Sequence, residues 1–201
     1  MNAGLITVII VFVVFAGVFV PLFLWAKRRS QAVRAVNRQV EESFGLTNQS
    51  PHSKGAYPNL RGTIDGIEVV VDIYQQRYRS SKKTAGTRPW TRVRAQLSAE
   101  QPFQLRKRHQ RYADKIDLPT RETGNTAFDE KYELFMPAEV SVAETLPPAL
   151  MDALIAADPS VDILNKVVVW MQKGLVDNHQ LLKNAVRTCV NVASAIEETA
   201  V

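Results

Sequence analysis

The sequence predicts an α+β fold in which an N-terminal transmembrane helix precedes an antiparallel sheet with helices packed on one face. Three observations lead there. Residues 4–26 carry no charged side chain, apolar residues recur with period two from Asn59 to Met136, and helical spacing returns in the C-terminal third. With 201 residues, 46% hydrophobic and 22% charged, the chain has the composition of one domain plus an appendage. This excludes a disordered, collagen-like, disulfide-rich or multi-span membrane protein.

Behind a short tail (1–3), residues 4–26 read GLITVIIVFVVFAGVFVPLFLWA. As a helix they span roughly 34 Å, enough for a hydrocarbon core about 30 Å thick. A cleaved signal peptide would show a basic start and a shorter apolar stretch, whereas MNAGLIT has no base and Lys27-Arg28-Arg29 follows the run. Bases that flank a span stay on the cytoplasmic side, so the N-terminus is expected outside and the C-terminal domain in the cytoplasm. Trp25 falls where an interfacial aromatic belongs, and Trp25, Lys27, Arg28, Arg29 and Arg34 are the expected headgroup contacts. Cys189 has no partner cysteine and is expected to pack as a small hydrophobe.

Residues 27–46 place Ala32, Val33, Val36, Val40 and Phe44 at helical spacing before Gly45, which predicts a basic juxtamembrane stalk. Residues 47–56 are polar and rich in turn formers and read as a linker into a soluble domain over 57–201. Asp65-Gly66 between two apolar runs predicts a two-residue hairpin, with Ile67, Val69, Val71 and Ile73 sharing the core face of the second strand. Val93, Ala95 and Leu97 alternate with Arg92, Arg94 and Gln96 in a further strand. Shorter strands are expected at 103–106 and 131–136. A short helix is expected in LPPALMDALIAADP and a buried strand over 165–171. In the last helix Asp177 or Asn178 is the N-cap, and Leu182, Ala185, Val186, Cys189, Val192, Ala193 and Ile196 line one face.

Charge is distributed unevenly. Residues 27–38 hold five bases and no acid, residues 54–121 hold 15 bases and 6 acids, and residues 122–201 hold 5 bases and 12 acids. Either the two halves of the domain pack basic against acidic, or a basic face is left for an anionic partner. No nucleotide-loop, zinc-protease, hydrolase-elbow or CxxC motif occurs, and His52, His109 and His179 lie far apart. No catalytic residue, metal ligand or cofactor is assigned. One basic segment stands out. Arg77, Arg79, Lys82, Lys83, Arg88, Arg92 and Arg94, interleaved with Tyr78 and Trp90, surround an expected hairpin loop that could hold phosphates, and residues 106–111 could extend that surface. No nucleic-acid module is recognisable there.

Residues 123–132, TGNTAFDEKY, lead from a Gly-Asn turn through Phe128 into a strand. Gly124 suits a tight turn, Phe128 a core position, and Asp129 an acceptor of backbone N–H groups across the turn. Through this TG[ND]xxFDxx[FY] box the chain resembles a group of uncharacterised bacterial membrane-anchored proteins over about residues 57–196. That resemblance implies a bacterial inner-membrane location and carries no activity. Three function classes follow: a membrane-anchored protein-interaction or accessory module, a binder of anionic lipid or nucleic acid through residues 77–111, and an enzyme with an unrecognised site. The expected partners are the bilayer and another protein.

Overall fold

A computed structural model describes residues 3–50, 59–79, 85–108 and 116–199, and of residues 3–14, 16, 78, 79 and 85 it describes the backbone alone. The chain begins with a single long helix, α1 (Ala3–Phe44), which passes through Pro21 without a break. Among the described residues no helix is long and apolar enough to cross a membrane. Most of the 4–26 run has side chains outside that description.

Nine strands among the described residues form one sheet in the order β1-β2-β3-β4-β9-β8-β5-β7-β6. They are β1 (Thr47–Asn48), β2 (Leu60–Ile64), β3 (Ile67–Arg79), β4 (Ala85–Gln96), β5 (Gln104–Lys107), β6 (Thr120–Arg121), β7 (Tyr132–Phe135), β8 (Asp162–Leu164) and β9 (Val167–Lys173). Each pairing of neighbours is antiparallel. The helices α2 (Thr126–Lys131), α3 (Val142–Thr145), α4 (Pro148–Ala156) and α5 (His179–Thr199) complete the α+β domain.

Positive φ angles at Asp65 and Gly66 close the β2–β3 hairpin, as a two-residue turn of this type requires. The expected core face follows from the register. Val71 pairs with Val93 and Val93 with Trp170, Val69 pairs with Ala95 and Ala95 with Val168, and all six are buried. Against this face lies α5, N-capped by Asn178, whose Oδ1 accepts from Leu181 N–H at 3.1 Å. Its expected stripe from Leu182 to Ile196 is buried throughout, together with Val190.

The structure redraws four boundaries. Residues 27–46 are no separate stalk, because Val33, Val36 and Val40 of α1 are buried, and Val36, Val40 and Leu46 belong to the domain core. Their i, i+3, i+7 spacing gives the sheet a second helix beside α5. The expected linker starts as β1, pairing Thr47 with Arg61, and its residues 51–56 lie outside the described ones. The expected loop after Arg77 is instead a continuation of the ladder to Arg79↔Ala85. The strand expected over 131–136 is preceded by α2, because Asn125 caps a helical turn by accepting from Phe128 N–H at 3.2 Å.

Candidate functional site

Opposite the helices, the sheet presents a polar face that begins as a consequence of alternation: residues between the core positions of β3 and β4 point away from α5. The register sets them in rows. One runs Thr47, Arg61, Val70 and Arg94 across β1, β2, β3 and β4 and continues into the buried Val169 of β9 and Asp162 of β8. Another joins Asp72, Arg92 and Met171.

Two ion-pair groups occupy this face. Arg92 grips Asp72 with both Nε and Nη2 at 2.8 Å, while Arg94 Nη2 donates to the same carboxylate at 2.7 Å. Arg61 Nε donates to Glu68 at 2.7 Å. Between the groups lies a groove of about 540 Å³ lined by Gln49, Asn59, Arg61, Glu68, Asp72 and Arg94, among others. Its chemistry is that of polar recognition, since both charge signs are fixed in place and few apolar atoms face it. The Arg92 guanidinium also lies 5.2 Å from the Tyr74 ring centroid.

Beyond Tyr74↔Trp90 the β3–β4 pair continues as a ribbon through Gln76↔Arg88 and Arg77↔Thr87. At its base the ribbon is joined to the chain just after β9 by the bridge between Trp90 and Gly174. The bases expected to bind anions fall in two places. Arg92 and Arg94 sit at the root, where both pair with the single Asp72 carboxylate, and Arg77 and Arg88 are exposed farther out on the ribbon. The backbone of Arg79 continues β3, and Lys82 and Lys83 lie outside the described residues. Trp90 is half-buried, and its Nε1 has no partner among the described residues. Of the extension expected over 106–111, Arg106 and Lys107 belong to β5 and residues 109–111 lie outside the described ones.

The expected headgroup residues lie along α1. Trp25 is 59% exposed, and the Arg29 guanidinium lies 5.4 Å from its ring centroid.

Two features were not anticipated. The role of Asp72 is set by the β3–β4 register, which alone shows that it faces Arg92. Asp162, on a three-residue strand too short to show a period, is fully buried and accepts from Lys107 N–H at 2.8 Å. Burial pushes its carboxyl up to about 6, opposed by the Lys107 N–H and by the charges of Lys107 and Arg106. Lys107 is held below its ordinary value by burial, partly offset by Asp162. Burial also raises Tyr132 to about 12 and pushes the Cys189 thiol up, so both stay protonated at neutral pH. Among the described residues, no group of three or more His, Cys, Asp or Glu could hold a metal ion.

The TGNTAFDEKY segment is accounted for by packing. Gly124 has φ +82°, Phe128 is fully buried, and the Asp129 carboxylate accepts from the N–H groups of Thr123 and Gly124 and from Thr123 Oγ1. No family model matches the chain, and neither a curated protein nor a solved structure matches it.

Proposed function

We propose that this protein is a single-pass membrane protein whose α+β domain is held at the cytoplasmic face of the bilayer and works there as a protein-interaction or accessory module. The observation that carries this reading is the placement of exposed apolar side chains. Phe15, Val18, Phe19, Val20, Leu22, Phe23, Leu24 and Trp25 are each about half exposed or more, and all lie on α1. Among the described residues the one other large exposed hydrophobic is Tyr74. Each such side chain gains roughly 1.5–3 kcal/mol on leaving water. The helix that carries them runs directly into the apolar sequence upstream of Phe15, so a bilayer is the environment that accommodates the whole stretch. The bases that follow at Lys27, Arg28 and Arg29 favour a cytoplasmic domain.

The interaction role rests on the polar groove, whose fixed Arg and carboxylate pairs suit a partner with complementary polar groups. A photocrosslinker at Gln96, exposed beside the groove, is expected to give a discrete protein adduct in intact membranes, and one at Asn191 on α5 is not. Adducts equal at both sites, or absent from both, would refute the module. For topology, Cys189 is fully buried, so an added cysteine at Lys173 reports alone. It should react with an impermeant maleimide only after the cytoplasmic side is opened.

A further inference from the structure

We propose that the β3–β4 ribbon is a second membrane contact, setting Arg77 and Arg88 against the anionic headgroups of the leaflet from which α1 emerges. The proposal rests on the anchored reading above and names a lipid surface as a partner of the domain.

The argument is one of direction and height. The C-terminal end of α1 is fixed beside β2, since Leu46 lies against Gly62, where a Cβ would come within 2.9 Å of the Leu46 side chain. Gly62 pairs with Val69 and is only a few residues from the Asp65-Gly66 turn. A helix leaving toward that turn would quit the sheet within about one turn, and Val33, Val36 and Val40 would be in water. They are buried. Traced back from Phe44, α1 therefore runs over the sheet toward the opposite end, which is the end where the ribbon projects.

The two elements also reach similar heights. From Phe44 back to Lys27, α1 rises roughly 26 Å at 1.5 Å per residue. From Val69 to Arg77, β3 rises roughly 26 Å at about 3.3 Å per residue. Arg77, and Arg88 across the strand pair from Gln76, thus stand near the level of Lys27-Arg28-Arg29.

Charge follows the same axis. Between Ile73 and Arg94 the sequence contains no acid. At the far end, Glu197 accepts from Ser98 N–H at 2.6 Å, and the chain segments that turn at that end of the sheet also carry Asp65, Glu100 and Lys166. An anionic surface attracts the ribbon end and repels the other. Each base near such a surface contributes about 1 kcal/mol, and the attraction fades beyond a Debye length.

The test uses the full-length protein in proteoliposomes of phosphatidylcholine, alone or mixed with phosphatidylglycerol. An environment-sensitive fluorophore is placed at Thr87→Cys on the ribbon or at Thr63→Cys near the far turn, both exposed positions. With phosphatidylglycerol the Thr87 probe should shift to the blue and be quenched by brominated lipid, and the shift should be lost in high salt or with Arg77→Gln/Arg88→Gln. The Thr63 probe should not respond. Flotation of the protein with the vesicles is read separately. A protein that floats while its Thr87 probe ignores lipid charge overturns the ribbon contact and leaves the anchor standing. A protein that fails to float overturns the anchor itself. A Thr87 response to an oligonucleotide in neutral vesicles, without one to phosphatidylglycerol, would reassign the ribbon to nucleic acid.

Discussion

Asp162 is a carboxyl group placed where water cannot reach it, and that placement has a sign. Folding raises it from 3.8 to about 6, so between these values the folded chain binds more protons than the unfolded one. The associated stability is fully present below about pH 4 and is lost as pH rises through about 6. Asp162→Asn keeps an oxygen to accept the Lys107 N–H while removing the ionisation. Urea unfolding of the detergent-solubilised protein should show the decline between about pH 4 and 6 abolished in this variant, which at pH 7 should be at least as stable as the parent. A shift of about two pKa units sets a ceiling on the order of 3 kcal/mol for the effect. A variant that keeps the slope and loses stability at pH 7 would show instead that the charge is needed where it is. Cys189 is the contrasting case. Its burial raises the thiol pKa and closes it to reagents, which is why added cysteines can serve as single reporters.

Among the elements, α2 shows how a short motif can be fully structural. The Asp129 carboxylate ties down the turn before the helix, accepting from Thr123 N–H at 3.1 Å, Gly124 N–H at 3.2 Å and Thr123 Oγ1 at 3.0 Å. Asp129→Ala leaves these donors without their partner and should cost about 2–3 kcal/mol in thermal or urea unfolding, with crosslinking at Gln96 unchanged in the fraction that stays folded. Loss of the adduct at unaltered stability would give the motif a functional role. The role of Asp129 was legible because a carboxylate after a Gly-Asn turn has nearby N–H groups to accept; α2 itself was hidden by a helix of six residues, less than two turns. Length decided most of the other cases. The alternations of β3 and β4 and the stripe of α5 run long enough to fix their buried faces, whereas β6 and β8 have two and three residues and show no period. The ribbon was obscured by Gly86 and Pro89, which read as loop. Pro89 is tolerated because its backbone polar edge faces away from β3: its carbonyl accepts from Gly174 N–H at 2.8 Å, so the missing N–H removes no bond to β3. For the candidate site the bases were visible in the sequence. The pairing of Arg92 and Arg94 with Asp72 was not, because it depends on the register that sets Asp72 opposite Arg92.

At the scale of the molecule, α1 is shared between two environments, with large apolar side chains exposed between Phe15 and Trp25 and others packed into the domain from Val33 onward. On the proposed reading, the anchoring segment and the part of α1 packed into the domain belong to one continuous helix. This makes the domain boundary a measurable quantity. A chain of residues 27–201 keeps Val33, Val36 and Val40, whereas residues 47–201 lose them along with the helix that covers β2. Burial of three valines contributes roughly 5–8 kcal/mol, comparable with the about 5–15 kcal/mol that holds a typical domain together. The longer chain should therefore be a soluble protein with a cooperative urea transition, and the shorter one should unfold or aggregate. Within the longer chain, Val40→Asp should reproduce the defect by placing an unpaired carboxylate in the core, while Arg28→Gln in its exposed first turn should leave the midpoint unchanged. Equal midpoints for 27–201 and 47–201 would detach α1 from the domain. The proposed lipid contact of Arg77 and Arg88 would then lose the support of α1 on which it rests.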